Sequence, residues 1–80
     1  MLHEYRKTAT IKAEQFDGSD EIAKKYDVHW RIGDYGFIAL LPTREGNMLI
    51  RKGDYIATGV DGEHWVIAPD IFKRTYERVD

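Results

Sequence analysis

The sequence predicts one small α+β domain dominated by antiparallel strands, in which one or two short helices cover a small curled sheet or partly open barrel. Three observations predict this class. Short apolar runs with a two-residue period are separated by turns that contain glycine. Two segments instead carry helix-start signals. The chain has 80 residues and no cysteine, so residues 1–80 are expected to form a single domain stabilised by packing or by oligomerisation.

The first strand is predicted over residues 8–15, where small and apolar residues alternate with polar ones. Ala9, Ile11 and Ala13 share one face in the two-residue period of a half-buried strand. That face is expected to point toward the core, and the face of Glu14 is expected to point toward solvent.

The first helix is predicted to begin after Ser19, whose side chain can cap the free N–H groups of the first turn. Two acidic residues follow at the positive end of the helix dipole. Ile22, Ala23 and Tyr26 have the spacing of one buried helical face.

Two strands are predicted in the middle of the chain, on either side of a turn at residues 33–36. In the first of them, Trp30 and Ile32 alternate with polar residues. Residues 37–41 are apolar on both faces, which indicates the most buried strand of the domain. Pro42 is expected to end this strand because proline cannot donate a ladder hydrogen bond.

The distal half of the chain is predicted to continue as short strands joined by tight turns. Asp61-Gly62 is read as a two-residue type I′ hairpin turn, which needs positive φ at both central residues. Pro69 suits the first turn of a second short helix, and residues 75–79 are expected to be extended again as a closing strand. The predicted order is β-α-β-β-β-β-β-α, with an optional final strand, and short turns make neighbouring strands antiparallel.

The charge distribution argues against nucleic acid as the main ligand. The formal net charge is −2, and each half of the chain carries six basic and seven acidic residues. Nucleic-acid-binding domains usually present a basic face, because neutralising phosphates supplies much of the affinity. The longest apolar run, residues 37–42, is too short to cross a bilayer, and the N-terminus lacks the apolar stretch of a signal peptide. A cytoplasmic protein is expected.

Several motifs along the chain resemble those of a family of small phage- and prophage-encoded proteins that has no assigned activity. The motifs are Tyr5-Arg6-Lys7, IKAEQF at 11–16, KGDYI at 52–56, GVDGEHW at 59–65, PDIF at 69–72 and TYE at 75–77. They cover both ends and about half of the chain, whereas residues 19–47 carry no such motif. The resemblance implies a phage accessory protein in the host cytoplasm. Many proteins of that kind bind and neutralise a host factor, and the family brings no catalytic residues to this chain.

Catalytic and metal-binding chemistry is not indicated by the residues. His3, His29 and His64 lack the spacing of metal ligands, so neither a metal nor a cofactor is expected. Ser19, the only serine, occupies a helix-cap position instead of pairing with a base. The carboxylates nearest the motifs fit turn or cap roles; they are Asp54, Asp61, Glu63 and Asp70.

Aromatic residues supply the binding candidates. Trp30 and Phe37 are expected in the core, whereas an exposed tryptophan or tyrosine beside a basic residue can anchor a protein partner or a stacked base. The candidate binding residues are Trp65, Tyr55, His64, Arg51 and Lys52.

The function predicted first is a binding module that forms a stoichiometric complex with a host protein. One alternative is a protein that sequesters a nucleotide-like ligand, with Trp65 or Tyr55 stacking on the base and Arg51 or Lys52 meeting the phosphate. Another is a structural part of the virion, and an enzyme ranks last. An open sheet edge also predicts a homodimer.

Overall fold

The structure, a computed structural model, describes residues 1–6 and 8–80; Lys7, the last residue of the Tyr5-Arg6-Lys7 motif, lies outside the described residues. Within them, six strands and two helices follow in the predicted order, which confirms the α+β class. They are β1 (Lys12–Gln15), α1 (Asp20–Tyr26), β2 (His29–Gly33), β3 (Gly36–Thr43), β4 (Gly46–Ile50), β5 (Tyr55–Thr58), β6 (His64–Ile67) and α2 (Pro69–Thr75). Thr75 ends α2 and residues 76–80 are not in a strand, so the optional closing strand predicted over residues 75–79 is wrong.

The strands are divided between two antiparallel sheets that do not close into a barrel. One sheet has the order β1-β5-β6 and the other has the order β2-β3-β4. The division falls at the turn between β4 and β5. There the Arg51 N–H donates to Asp54 Oδ2 (2.9 Å) and the Asp54 N–H donates back to the Arg51 carbonyl (3.0 Å). These two bonds stabilise the bend that carries the chain from one sheet to the other.

The core lies where the two sheets and α1 meet, and β6 contacts both β3 and β4. Its buried members are Phe16, Ala23, Val28, Ala39, Leu41, Ile50 and Ile56. Full burial of a large apolar side chain such as Leu41 or Ile56 stabilises a fold by about 1.5–3 kcal/mol. Ile22 and Tyr26 of α1 pack against this cluster, as the helical spacing predicts.

Strand β1 presents the opposite face to the one predicted. Ala13 is exposed, whereas Glu14 is partly covered and Phe16, two residues further on, is fully buried. The backbone of Phe16 bonds to Asp54 and Gly53, just before β5 (2.7 and 2.8 Å), which holds its ring over the core. Because alternate residues share a face, Glu14 is placed on the covered side.

Helix α1 begins and ends as its local chemistry requires. The Ser19 Oγ accepts a hydrogen bond from the Ile22 N–H (3.3 Å), which confirms the predicted cap. Asp27 ends the helix in the left-handed region with φ 58°, and its N–H reaches the carbonyls of Ala23 and Lys24. This sharp ending turns the chain directly into β2.

The connection between β5 and β6 differs from the predicted type I′ turn. The Gly59 carbonyl accepts from the Gly62 N–H (3.1 Å), so Val60 and Asp61 are the central residues of the turn. Gly62 has φ 80°, and Asp61 is not in the positive-φ region. The Gly59 N–H also donates to the Glu63 carbonyl (2.9 Å), which makes Gly62 a bulge residue in a three-residue loop.

Strand β3 passes through Pro42 and ends at Thr43, so the prediction that Pro42 ends it is wrong. Pro42 pairs with Asn47 on one side, and β2 begins only opposite Leu40 on the other. The antiparallel alternation directs the nitrogen of Pro42 toward that vacant side, where no ladder bond is lost. Strand β3 is also not the most buried strand, because β5 is covered along its whole length and the first half of β3 is exposed.

Candidate functional site

The β2–β3 hairpin carries its apolar side chains beyond the edge of the core. The register pairs Ile32 with Phe37 and Trp30 with Ala39, so these four side chains share one face of the sheet. Ala39 is buried in the core on that face. Toward the turn, the same face is uncovered: the exposed fraction is 48% for Trp30, 73% for Phe37 and 82% for Ile32.

The exposed side chains of this face, together with that of the adjoining turn, define what we call the hairpin patch: Trp30, Ile32, Tyr35 and Phe37. Tyr35 lies in the turn itself and is fully exposed. Trp30 marks the boundary with the core, because its ring lies 6.3 Å, centroid to centroid, from the buried ring of Phe16. The patch therefore continues the core outward into solvent.

The opposite face of the sheet is also partly apolar, with Ile38 of β3 exposed by 38% and Leu49 of β4 by 45%. Only two charged residues occur between residues 29 and 40, Arg31 and Asp34, and their charges are opposite. The hairpin consequently carries no net charge. The attraction that it offers to another molecule is hydrophobic and aromatic.

The prediction that Phe37 and Trp30 lie in the core is wrong for Phe37, which is mostly exposed. Trp30 is about half covered, so for it the prediction holds only in part. Both side chains do point to the core side of the sheet, as the strand alternation requires. The sheet formed by β1, β5 and β6 does not extend far enough to cover them. Sequence reasoning therefore missed the hairpin patch, although the run of apolar residues on both sides of a turn was its signal.

The predicted binding residues lie on different sides of the sheet that contains β5 and β6. Tyr55 and Trp65 share one face, because Trp65 is opposite Ala57 and Ala57 is two residues from Tyr55. His64 points to the other face, toward α1. Arg51 and Lys52 are exposed in the turn before β5. The structure thus does not bring the five candidates into one cavity.

Tyr55 is part of a stack of three rings that attaches α2. Its ring is nearly parallel to that of Phe72, with centroids 3.9 Å apart and an angle of 10°. Phe72 in turn stacks on Tyr76, with centroids 5.2 Å apart. One face of Tyr55 is accordingly occupied by the protein itself.

Trp65 lines a shallow cleft of about 230 Å³ between the N-terminal segment and the β5–β6 loop. Its ring lies against Gly59, where an added β-carbon would come within 3.1 Å of the ring. Glu63 also lines the cleft, and its carboxylate lies 3.5 Å from the guanidinium of Arg44. The remaining walls are Val60 and the small or apolar residues of the segment 8–11.

His64 belongs to a cluster of polar side chains that links α1 to its sheet. Its Nδ1 lies 2.9 Å from Thr58 Oγ1, and its ring meets the Tyr26 ring edge to face at 5.1 Å. Glu14 Oε1 accepts hydrogen bonds from Lys25 Nζ and from the Tyr26 hydroxyl, each at 2.7 Å. These contacts position α1 over β1 and β6.

The same hydrogen bonds shift the ionisation of the cluster. The bond from Lys25, and then the bond from Tyr26, hold the pKa of Glu14 below its ordinary value. Burial, followed by the bond to Glu14, raises the pKa of Tyr26. Glu14 is thus held as a carboxylate and Tyr26 as a neutral phenol at neutral pH, an arrangement that stabilises the fold and leaves neither group poised for proton transfer.

Metal-ligating groups do not converge in the part of the chain that the structure describes, where no cluster of three or more histidine, aspartate or glutamate side chains could hold an ion. His29 lines a second shallow cleft, of about 300 Å³, beside α1, and it does not meet His64 there. Within residues 1–6 and 8–80, no helix is long and apolar enough to span a membrane.

Comparison of the chain with family models, with curated proteins and with solved structures finds no match.

Proposed function

We propose that this chain is a binding module that docks on another protein through the hairpin patch. In the phage context that the sequence motifs suggest, it is an accessory protein that forms a stoichiometric complex with a protein of the host cytoplasm. The observation that carries the proposal is the exposure of Trp30, Ile32 and Phe37 on one face of the hairpin, with the exposed Tyr35 in the adjoining turn. Aromatic side chains dominate the energetics of protein interfaces, and contiguous exposed apolar surface on a small protein commonly marks one.

The chemistry of the patch defines the partner in outline. Because the opposite charges of Arg31 and Asp34 leave the hairpin without net charge, it does not select a strongly acidic or basic surface. The partner is expected to offer an apolar groove that takes the rings of Phe37 and Trp30.

A small nucleotide-like ligand has less support. Tyr55 already stacks on Phe72, which leaves only its other face for a base. Arg51 and Lys52 are not among the residues that line the cleft of Trp65. The aromatic and basic groups that such a ligand would need are therefore separate.

A capture experiment with matched variants tests the proposal. The wild-type chain and Phe37→Thr are immobilised separately, and the proteins that each retains from a bacterial lysate are quantified by mass spectrometry. Val60→Thr is the control, since Val60 is equally exposed but lies in the β5–β6 loop, outside the patch. We expect one protein to be retained by the wild type and by Val60→Thr and to be lost with Phe37→Thr.

The retained protein is then purified and titrated against the chain by calorimetry, where a stoichiometric complex with a negative heat-capacity change indicates apolar burial. A protein that the wild type and Phe37→Thr retain equally would show that the patch is not the docking site. If the wild type retains no protein above the level of the support without immobilised chain, the chain is not a binding module of this kind.

A further inference from the structure

The chain exposes more surface than a folded monomer of its size. Its accessible surface is 6783 Å², whereas a folded monomer of 9.3 kDa exposes about 5,000 Å² by the scaling of area with mass. The exposed residues 1–6 and 77–80 contribute to this excess, and so do the two apolar faces of the β2–β3 hairpin. A standard protein interface covers about 800 Å² of each partner, which the excess can supply.

Strand β2 lies at an open edge of its sheet. Its neighbour is β3, and the hairpin closes on the pair Gly33–Gly36 across a two-residue turn. A two-residue turn closes on a hydrogen-bonded pair, and such pairs alternate along an antiparallel ladder. The N–H and C=O groups of Trp30 and Ile32 consequently point away from β3 and toward the open edge.

This edge lacks the features that usually prevent pairing. Strand β2 contains no proline, and its only full charge is Arg31, whereas the edge strand β1 carries both Lys12 and Glu14. Charged residues and prolines are the common means of blocking an edge. An unblocked edge with apolar side chains on either side is a template for another strand.

We propose that the strand that pairs with this edge is β2 of a second copy of the chain, antiparallel to the first across a two-fold axis. The pairing joins two three-stranded sheets into one of six strands. A copy of the same chain meets no net repulsion, because the charges of Arg31 and Asp34 cancel within each hairpin. The register that sets Trp30 opposite Trp30 of the second copy also keeps the two Arg31 side chains apart, since each then lies opposite His29. Such an interface is isologous and closes without further growth.

The pairing has a consequence for the hairpin patch. A two-fold axis perpendicular to the sheet keeps corresponding faces on the same side, so the patches of both copies merge into one surface. This part of the inference rests on the proposed function: the docking surface for the partner protein is the merged patch, with Trp30 and Ile32 of both copies at its centre. The dimer itself is tested without any partner.

The first test measures the mass of the purified full chain by light scattering coupled to gel filtration. We expect twice the 9.3 kDa of one chain. Ile32→Pro removes an N–H that points to the open edge, and it should halve the mass while leaving the monomer folded, because proline is tolerated at that position of an edge strand. Ile32→Thr is the matched control. It removes the same apolar side chain but keeps the N–H, and it should remain a dimer.

The second test needs no variant. Amide hydrogen exchange of the wild type should show protection at Trp30 and Ile32, and this protection should fall as the protein is diluted and the dimer dissociates. A wild-type chain that stays monomeric up to millimolar concentration would overturn the dimer, and so would a folded Ile32→Pro that remains dimeric. Unprotected Trp30 and Ile32 amides in a dimer would place the interface elsewhere.

The two proposals fail separately. A dimer that retains no partner protein in the capture experiment supports the edge pairing and contradicts the docking function. A monomer that retains a partner protein through Phe37 supports the docking function and contradicts the edge pairing.

Discussion

The bond from the Tyr26 hydroxyl to Glu14 provides a quantitative test of how α1 is attached. Tyr26→Phe removes the hydroxyl and keeps the ring, which still packs edge to face on His64. The bond is short, at 2.7 Å, and its acceptor is a carboxylate. Hydrogen bonds to charged groups contribute about 1.5–3 kcal/mol to the free energy of unfolding. Because the side chain of Glu14 is 38% exposed, water replaces part of the lost interaction. We expect Tyr26→Phe to lower the free energy of unfolding by about 1 kcal/mol at neutral pH.

The effect should depend on pH in a defined direction. The pKa of Glu14 is lowered in the folded protein from its ordinary value of 4.5, so the carboxylate form stabilises the fold. That contribution is fully present above pH 4.5, and it is lost as the pH falls through the lower pKa of the folded state. Since the Tyr26 bond is one cause of the lowered pKa, the difference between wild type and Tyr26→Phe should shrink in acid.

The assay is urea denaturation of both proteins, monitored by circular dichroism. It is carried out at neutral pH and again at a pH well below the pKa of Glu14 in the folded state. A loss of about 1 kcal/mol corresponds to a fall in melting temperature of roughly 4–8 °C for a domain of this length. Tyr5→Phe is the control, because Tyr5 is almost fully exposed and its hydroxyl should contribute little. Equal losses for Tyr26→Phe and Tyr5→Phe, or a Tyr26→Phe loss that grows in acid, would refute the reasoning.

Three further predictions concern packing and backbone geometry. Leu41→Ala should lower the free energy of unfolding by about 2–5 kcal/mol, and the half-exposed Leu49→Ala by much less; similar urea midpoints would contradict the assigned core. Phe72→Ala removes the middle ring of the three-ring stack and should accelerate amide exchange in α2 without affecting β3, whereas unchanged exchange in α2 would mean that the stack does not hold the helix. At Gly62 an added β-carbon meets open space but the backbone has a φ of 80°, so Gly62→Ala should destabilise the fold by about 1–2 kcal/mol through backbone strain alone. Thermal denaturation measures this effect, and an unchanged stability would argue against the bulge.

The features that could be predicted from the sequence are those set by local chemistry. Ser19 caps α1, Pro69 opens α2, and the apolar runs between glycines form strands in the predicted order. Each of these outcomes depends on a few adjacent residues. The Asp61-Gly62 turn shows the limit even here, because the same dipeptide fits a three-residue loop in which only Gly62 needs a positive φ.

The features that could not be predicted depend on contacts between distant parts of the chain. The inward face of β1 is decided by Phe16, whose backbone bonds to the residues just before β5, and the strand pairing sets Gln15 opposite Tyr55. An alternation of Ala13 with Glu14 carries no information about that bond. The predicted binding residues were selected as neighbours in sequence, and the strand alternation then separated Trp65 from His64 across the sheet.

The hairpin patch follows from a difference in length between the two sheets. The covering strand β5 has four residues and β3 has eight, which correspond to about 14 Å and 27 Å at 3.4 Å per residue. A sheet of such short strands can cover only about half of β3, although the apolar pattern continues to Phe37. Sequence periodicity reports that a side chain is suited to burial and cannot report whether the same chain or another one covers it. If the uncovered half did not bind the partner protein, replacing Ile32 and Phe37 together by threonine would leave the captured protein unchanged. The two proposals instead require the capture to be lost while the dimer mass stays the same, because the N–H groups at the open edge are kept.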